Sequence, residues 1–205
     1  QKVLLPLLAK IGYRVEINVD KHGFYPKGGA KVRVRIFPAK KLNKLDLTER
    51  GRLIQVSILS IASENLRIRK VAERQAEKAK EILKDYEPEV RIEYVNSVCP
   101  GSGILCFASF EHTILGFDSV GEIKKKAEDV GKECATCLKK EIESKATLDI
   151  FASDQILPYM AFAKGSFLVR ELSLHAKTNM EVIKKFLKVD FKIREVGKLL
   201  NIFIC

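Results

Sequence analysis

The sequence predicts an α+β protein in which a smaller unit interrupts a larger one. Three observations lead there. Apolar residues alternate with period two near both ends of the chain, over residues 13–19, 31–37, 191–196 and 199–204. The middle holds two long helical patterns, 65–86 and 124–143, set among about four short strand patterns. A polar, basic stretch at 38–52 separates the first alternating pair from this block and reads as a linker or crossing. The expected division is therefore residues 1–52 and 147–205 as two pieces of one larger domain, with residues 53–146 inserted between them.

Each element follows from local chemistry. Val3, Leu4, Leu7, Leu8 and Ile11 recur at helical spacing, and Gly12 stands where a helix stops. This helix has no initiator Met and no cap before it, so the chain is expected to be the C-terminal part of something longer. Strands at 13–19 and 31–37 flank the loop Lys21-His22-Gly23-Phe24-Tyr25-Pro26-Lys27-Gly28-Gly29, where glycine supplies positive φ and proline fixes a turn. The same loop offers lysines and two aromatics to a phosphate and a base. In the middle block, strands are expected at 53–60, 90–95, 104–110 and 113–117. The helix at 65–86 turns Ile68, Val71, Ala72, Ala76, Ala79, Ile82 and Leu83 inward. The last stretch reads as a helix at 151–162 carrying Pro158, a strand at 167–172, a short helix, and a hairpin about Gly197.

Composition narrows the function classes. Of 205 residues, 37 are Lys or Arg and 26 Asp or Glu, and the resulting +11 charge points to a polyanionic partner, nucleic acid ahead of a membrane surface. No apolar run is long enough to cross a bilayer. Five cysteines are too few and scattered for a disulfide scaffold, and their odd number fits a reducing cytoplasm. Cys134 and Cys137 form a CxxC inside a helical pattern; buried thiols are favoured there over a zinc site shared with Cys99 and Cys106.

The stretch 148–181 concentrates the candidate chemistry. Thr178 and Glu181 have the spacing of a capping box, which starts the short helix at Thr178 and leaves His175 just outside its N-terminus. Free N–H groups and the positive end of the helix dipole attract an anion there and disfavour a second positive charge on the ring. His175 is thus a candidate nucleophile toward a phosphate, the alternative at this point being an ordinary loop residue near a helix cap. Phe151 and Asp154, three residues apart, share a helix face, as any such pair would, and on spacing alone Phe151 reads as a core aromatic.

These residues also carry a family likeness. HGFYPKGG at 22–29 resembles the signature loop of RNA 3'-terminal phosphate cyclases. LTERG at 47–51, VAERQ at 71–75, PGSG at 100–103, SDQILPYMA at 153–161 and HAKTNMEVIKKFL at 175–187 follow in that family's order. The resemblance implies a large catalytic domain of repeated α/β units, like the C-terminal domain of translation initiation factor three, with an inserted smaller domain of two helices on a four-stranded sheet. It implies ATP-dependent conversion of an RNA 3'-terminal phosphate to a 2',3'-cyclic phosphate through a covalent histidine–AMP, with His175 as the catalytic residue. It places Phe151 against adenine and Asp154 as acceptor for an adenine amino group, with Ala152, Ser153 and Gln155 lining the nucleotide seat. ATP and a divalent cation (Mg or Mn) are the implied cofactors, and no metal ligand is assigned in this chain. The implied partners are RNA with a 3'-phosphate end and a substantial N-terminal portion of the same protein. Ala30 departs from the likeness, standing where the loop commonly has a third glycine. The alternative is a non-catalytic cyclase-like RNA-binding protein in ribosomal RNA maturation, which would have no need to keep a nucleophile at 175.

Overall fold

The computed structural model describes all 205 residues, Gln1–Cys205, and is α+β. Helix α1 (Leu4–Ile11) ends at Gly12, whose φ of 105° suits only glycine, and buries Leu7, Leu8 and Ile11. Strands β1 (Arg14–Lys21) and β2 (Lys31–Phe37) form a separate antiparallel ribbon with Ile17 opposite Val34. The connecting loop packs on residues 98–101. Phe24 fills the space where a Cβ on Gly101 would sit, and Cys99 Sγ donates to the Phe24 carbonyl at 3.0 Å. Of the two loop aromatics, Phe24 is therefore partly covered, while Tyr25 is 92% exposed.

The stretch 38–52 is not only a linker. Leu45–Leu47 forms β3, with both leucines buried and paired in parallel with β8 (Gly165–Val169). Three residues are too few for alternation to register; long-range pairing makes this strand. The sheet order is β3-β8-β10-β9, with β9 (Phe191–Val196) and β10 (Leu199–Ile204) joined as the expected hairpin at Gly197. Helices α1, α4 (Ile150–Ala163) and α5 (Leu174–Phe186) contribute to its core, where Leu7, Ile11, Ile156, Leu157, Met160, Phe167 and Ile202 are fully buried. Pro158 is accommodated within α4.

Between these pieces, β4 (Leu53–Ser63), β5 (Glu89–Val95), β6 (Ser102–Phe110) and β7 (Ile114–Val120) form a second sheet, ordered β5-β4-β6-β7. Helices α2 (Val71–Ile82) and α3 (Ala127–Ser144) pack on it, enclosing a second core that includes Val56, Ile58, Leu83, Leu115, Val130 and Leu138. Residues 65–86 are not one helix. A short 3-10 turn, Glu64–Leu66, is followed by Lys70 at φ 48°, and α2 starts only after it. This break turns Ile68 out to solvent instead of into the core.

The thiols are all free. Cys134 on α3 is buried and its Sγ donates to the Phe117 carbonyl at 2.9 Å; a hydrogen bond with Cys106 and burial push its pKa up. No three His, Cys, Asp or Glu side chains converge as a metal cluster. No helix is long and apolar enough to cross a membrane.

Candidate active site

The site begins at the cap of α4. Asp149 is the N-cap, and one carboxylate oxygen accepts from the backbone N–H groups of Phe151 (3.0 Å) and Ala152 (2.7 Å). Its other oxygen accepts from Gly116 N–H on β7 at 2.9 Å, so one buried side chain starts α4 and ties it to the second sheet. Burial pushes the Asp149 carboxyl up to about 6, against the pull of these three N–H donors. One residue group further along the seam, Thr113 Oγ1 donates to the Thr147 carbonyl at 2.6 Å. Arg170 Nη2 reaches Glu141 Oε1 on α3 at 3.2 Å. Glu141 is almost wholly buried; that burial pushes its carboxyl up, and the Arg170 charge opposes it.

From this anchored start, α4 presents Phe151, Asp154 and Gln155 along one side. Phe151 is 43% exposed, and its ring tilts against Phe117 of β7 with centroids 5.2 Å apart. Asp154 is 9% exposed, and Gln155 is exposed. Ala152 and Ser153 lie on the buried side of the helix, where Ser153 Oγ donates to the Ile150 carbonyl at 2.7 Å.

The decisive contact joins α4 to α5. Ser173, not Thr178, caps α5: its oxygen accepts from Ala176 N–H at 2.9 Å while its hydroxyl donates to Asp154 Oδ1 at 2.8 Å. Asn179 Nδ2 adds a bond to the Asp154 backbone carbonyl at 3.3 Å. His175 is therefore the second residue inside α5, in its first turn, and it is exposed. The expected box at Thr178 and Glu181 falls within a helix already begun one turn earlier. The reason is tertiary: Ser173 satisfies Asp154 and the helix end together, a pairing 19 residues apart in sequence. His175 lies in the first turn of α5, the stretch over which a helix dipole acts.

Asp154 thus has one oxygen committed to the cap and a second free to accept from a ligand. Sequence reasoning missed Ser173, Asp149 and Phe117. Ser173 and Asp149 each precede a helical pattern as a cap residue would, but Thr178 offered the fuller motif. Nothing in the sequence pairs Phe117 with Phe151.

Comparison with known proteins adds the decisive observation. The family model described as RNA 3'-terminal phosphate cyclase matches residues 1–193. The chain belongs to the RNA 3'-terminal phosphate cyclase family. Curated members similar to it include the RNA 3'-terminal phosphate cyclase of Hyperthermus butylicus, 39% identical over 96% of this chain and 58% of that protein. That of Methanococcoides burtonii is 37% identical over 100% of this chain and 60% of its own length, and that of Pyrococcus abyssi 39% identical over 96% and 58%. The chain spans about three-fifths of the length of these cyclase relatives.

One prediction arises from the cap of α5. Ser173→Ala removes the capping oxygen, at about 1 kcal/mol, and deprives buried Asp154 of a donor, at roughly a further 1–2 kcal/mol. The expected result is a loss of about 2–3 kcal/mol in denaturant unfolding, with Ser173→Thr recovering most of it. A loss under about 0.5 kcal/mol would show that Ser173 does not hold the two helices together.

Proposed function

We propose that the whole protein to which this chain belongs converts an RNA 3'-terminal phosphate to a 2',3'-cyclic phosphate, using ATP and a covalent intermediate on His175. The observation that supports this reading is the Asp154–Ser173 bond. It ties the helix carrying Phe151 to the helix whose first turn carries an exposed imidazole.

In the proposed sequence, an imidazole nitrogen of His175 attacks the α-phosphorus of ATP. A P–N bond forms, the bond to the bridging oxygen breaks, and pyrophosphate leaves. The free N–H groups of the first turn of α5 and the helix dipole stabilise negative charge developing on the α-phosphate. The RNA 3'-phosphate oxygen then displaces the histidine, taking AMP. The adjacent 2'-hydroxyl loses its proton and attacks the 3'-phosphorus; AMP leaves and the cyclic phosphate closes. Covalent catalysis divides one difficult displacement into activated steps. Phe151 supplies a half-open aromatic face for adenine, and the free Asp154 oxygen accepts from its amino group. Gln155 flanks the seat, and Ala152 and Ser153 back it from within.

A resident metal centre does not fit this chain, which brings no three ligating side chains together. A magnesium or manganese ion carried by the triphosphate needs only one or two protein carboxylates. We also place residues 1–52 and 147–205 in one domain, related to the C-terminal domain of translation initiation factor three, and residues 53–146 in an insertion. Two separate four-stranded sheets, each with its own core, support that division. A cytoplasmic location is proposed from five unpaired thiols.

The test is incubation of the whole protein with ATP and magnesium or manganese, followed by intact mass. A single added AMP that maps to His175 is expected; no adduct, or an adduct on another residue, refutes the reading. A second measurement separates the seat from the RNA site. Phe151→Ala should raise the KM for ATP by about tenfold, the value of one stacking contact near 1.4 kcal/mol, and leave that for RNA within twofold. An effect confined to RNA removes Phe151 from the nucleotide seat.

A further inference from the structure

The far end of α5 carries a feature that catalysis at His175 does not use. Phe186 is 82% exposed and Val182 46% exposed, although core-facing helix positions lie close by at Met180 and Ile183. A helix rises about 1.5 Å and turns about 100° per residue. Phe186 therefore stands about 16 Å from His175 along α5 and only about 20° around it. Val182 lies between them on the same stripe. Phe186 borders a shallow open depression together with Lys184, Lys185, Lys188, Asp190 and Cys205.

The charge there is one-sided. Around Phe186, Lys184, Lys185 and Lys188 stand against Asp190. Lys184 pairs with Glu181 at 3.2 Å. Lys185 and Lys188 are exposed and take part in none of the chain's ion pairs. The negative end of the helix dipole accounts for lysines in the last turn of α5. It does not account for Lys188, which lies beyond the helix.

We propose that this stripe is a track for the RNA strand upstream of the reacting end, with Phe186 stacking on a base and Lys185 and Lys188 holding phosphates. This rests on the reading that the RNA 3' end reacts at His175. An exposed aromatic among unpaired cations is what a single strand recognises, because every base has a stacking face and every linkage a charge. A second copy of the chain would bring like charges together across the contact, and the apolar stripe is too narrow to offset them. At about 3.4 Å per stacked nucleotide, 16 Å places the Phe186 contact about five nucleotides from the 3' end. A more extended strand reaches it in fewer.

The test measures fluorescence anisotropy of the whole protein, without ATP, on labelled oligoribonucleotides of four and ten nucleotides ending in a 3'-phosphate. Phe186→Ala should weaken the ten-mer about tenfold, as loss of one stacked base does, and the four-mer by less than twofold; Phe186→Tyr should restore the ten-mer. Lys185→Glu with Lys188→Glu should weaken the ten-mer and lower its salt slope by about 1.4, the amount for two single-strand phosphates. Equal losses for both lengths overturn the proposal, as does an unchanged ten-mer. So does a change of association state with RNA affinity intact, which would mean that a protein surface covers the stripe. AMP labelling at His175 is measured without RNA, so failure of the track and failure of the proposed chemistry are told apart.

Discussion

Replacing His175 by alanine in the whole protein is expected to abolish AMP labelling, lowering its rate on the order of 10⁴-fold or more, the scale of losing a nucleophile. Stability should change by no more than about 0.5 kcal/mol, because the ring is exposed and the cap of α5 is made by Ser173 instead. The two readouts together discriminate. Loss of labelling with an unchanged unfolding transition assigns the role to the ring itself. Loss of both would make His175 a support for α5, and retained labelling would place the nucleophile elsewhere. A non-catalytic RNA-binding protein predicts no labelling in either form.

The second large effect belongs to Asp149. Its carboxylate accepts from Phe151, Ala152 and Gly116, so Asp149→Ala leaves three N–H groups at a buried seam without that partner. Loss of the cap costs about 1 kcal/mol, and the orphaned donors bring the total to roughly 3–4 kcal/mol. The measurement is denaturant unfolding, and a loss below about 1 kcal/mol would mean the seam closes without this side chain.

Asp149 also has a pH signature of defined sign. Its carboxyl is raised from 3.8 to about 6 in the folded chain by burial. Between those values the folded state holds a proton that the unfolded chain has released. The associated stability is therefore complete below about pH 4 and is lost as pH rises through about 6, an effect of about 3 kcal/mol. Melting temperatures from pH 4 to 7 should show this decline in the wild-type chain, and Asp149→Asn should flatten it. An identical slope in the variant would assign the dependence to another group, Glu141 being the next most buried carboxyl.

Legibility divided along the reach of each interaction. The alternating strands at both ends, the hairpin at Gly197 and the stop of α1 at Gly12 were readable, because each depends on neighbours within a few residues. The start of α5 was not. Thr178 and Glu181 formed a good local motif, but Ser173 won because it also bonds Asp154. The break before α2 escaped for a related reason: Lys70 takes a left-handed backbone conformation that its side chain does not announce. Leu45–Leu47 is too short to show a period and becomes a strand only beside β8.

By itself the sequence determined the α+β class and the family, whose ordered motifs run through nearly the whole chain. It also pointed to His175 through its place near a helix start, while Phe151 and Asp154 were singled out by the family likeness and not by their spacing. Only the tertiary structure decided that Ser173 joins Asp154 to the helix of His175, that Asp149 and Phe117 hold the start of α4 against the second sheet, and that Phe186 is left bare. The physical reason is that a hydrogen bond or a ring contact needs proximity in space. Chain positions 19, 33 or 34 residues apart acquire it only after both cores have packed.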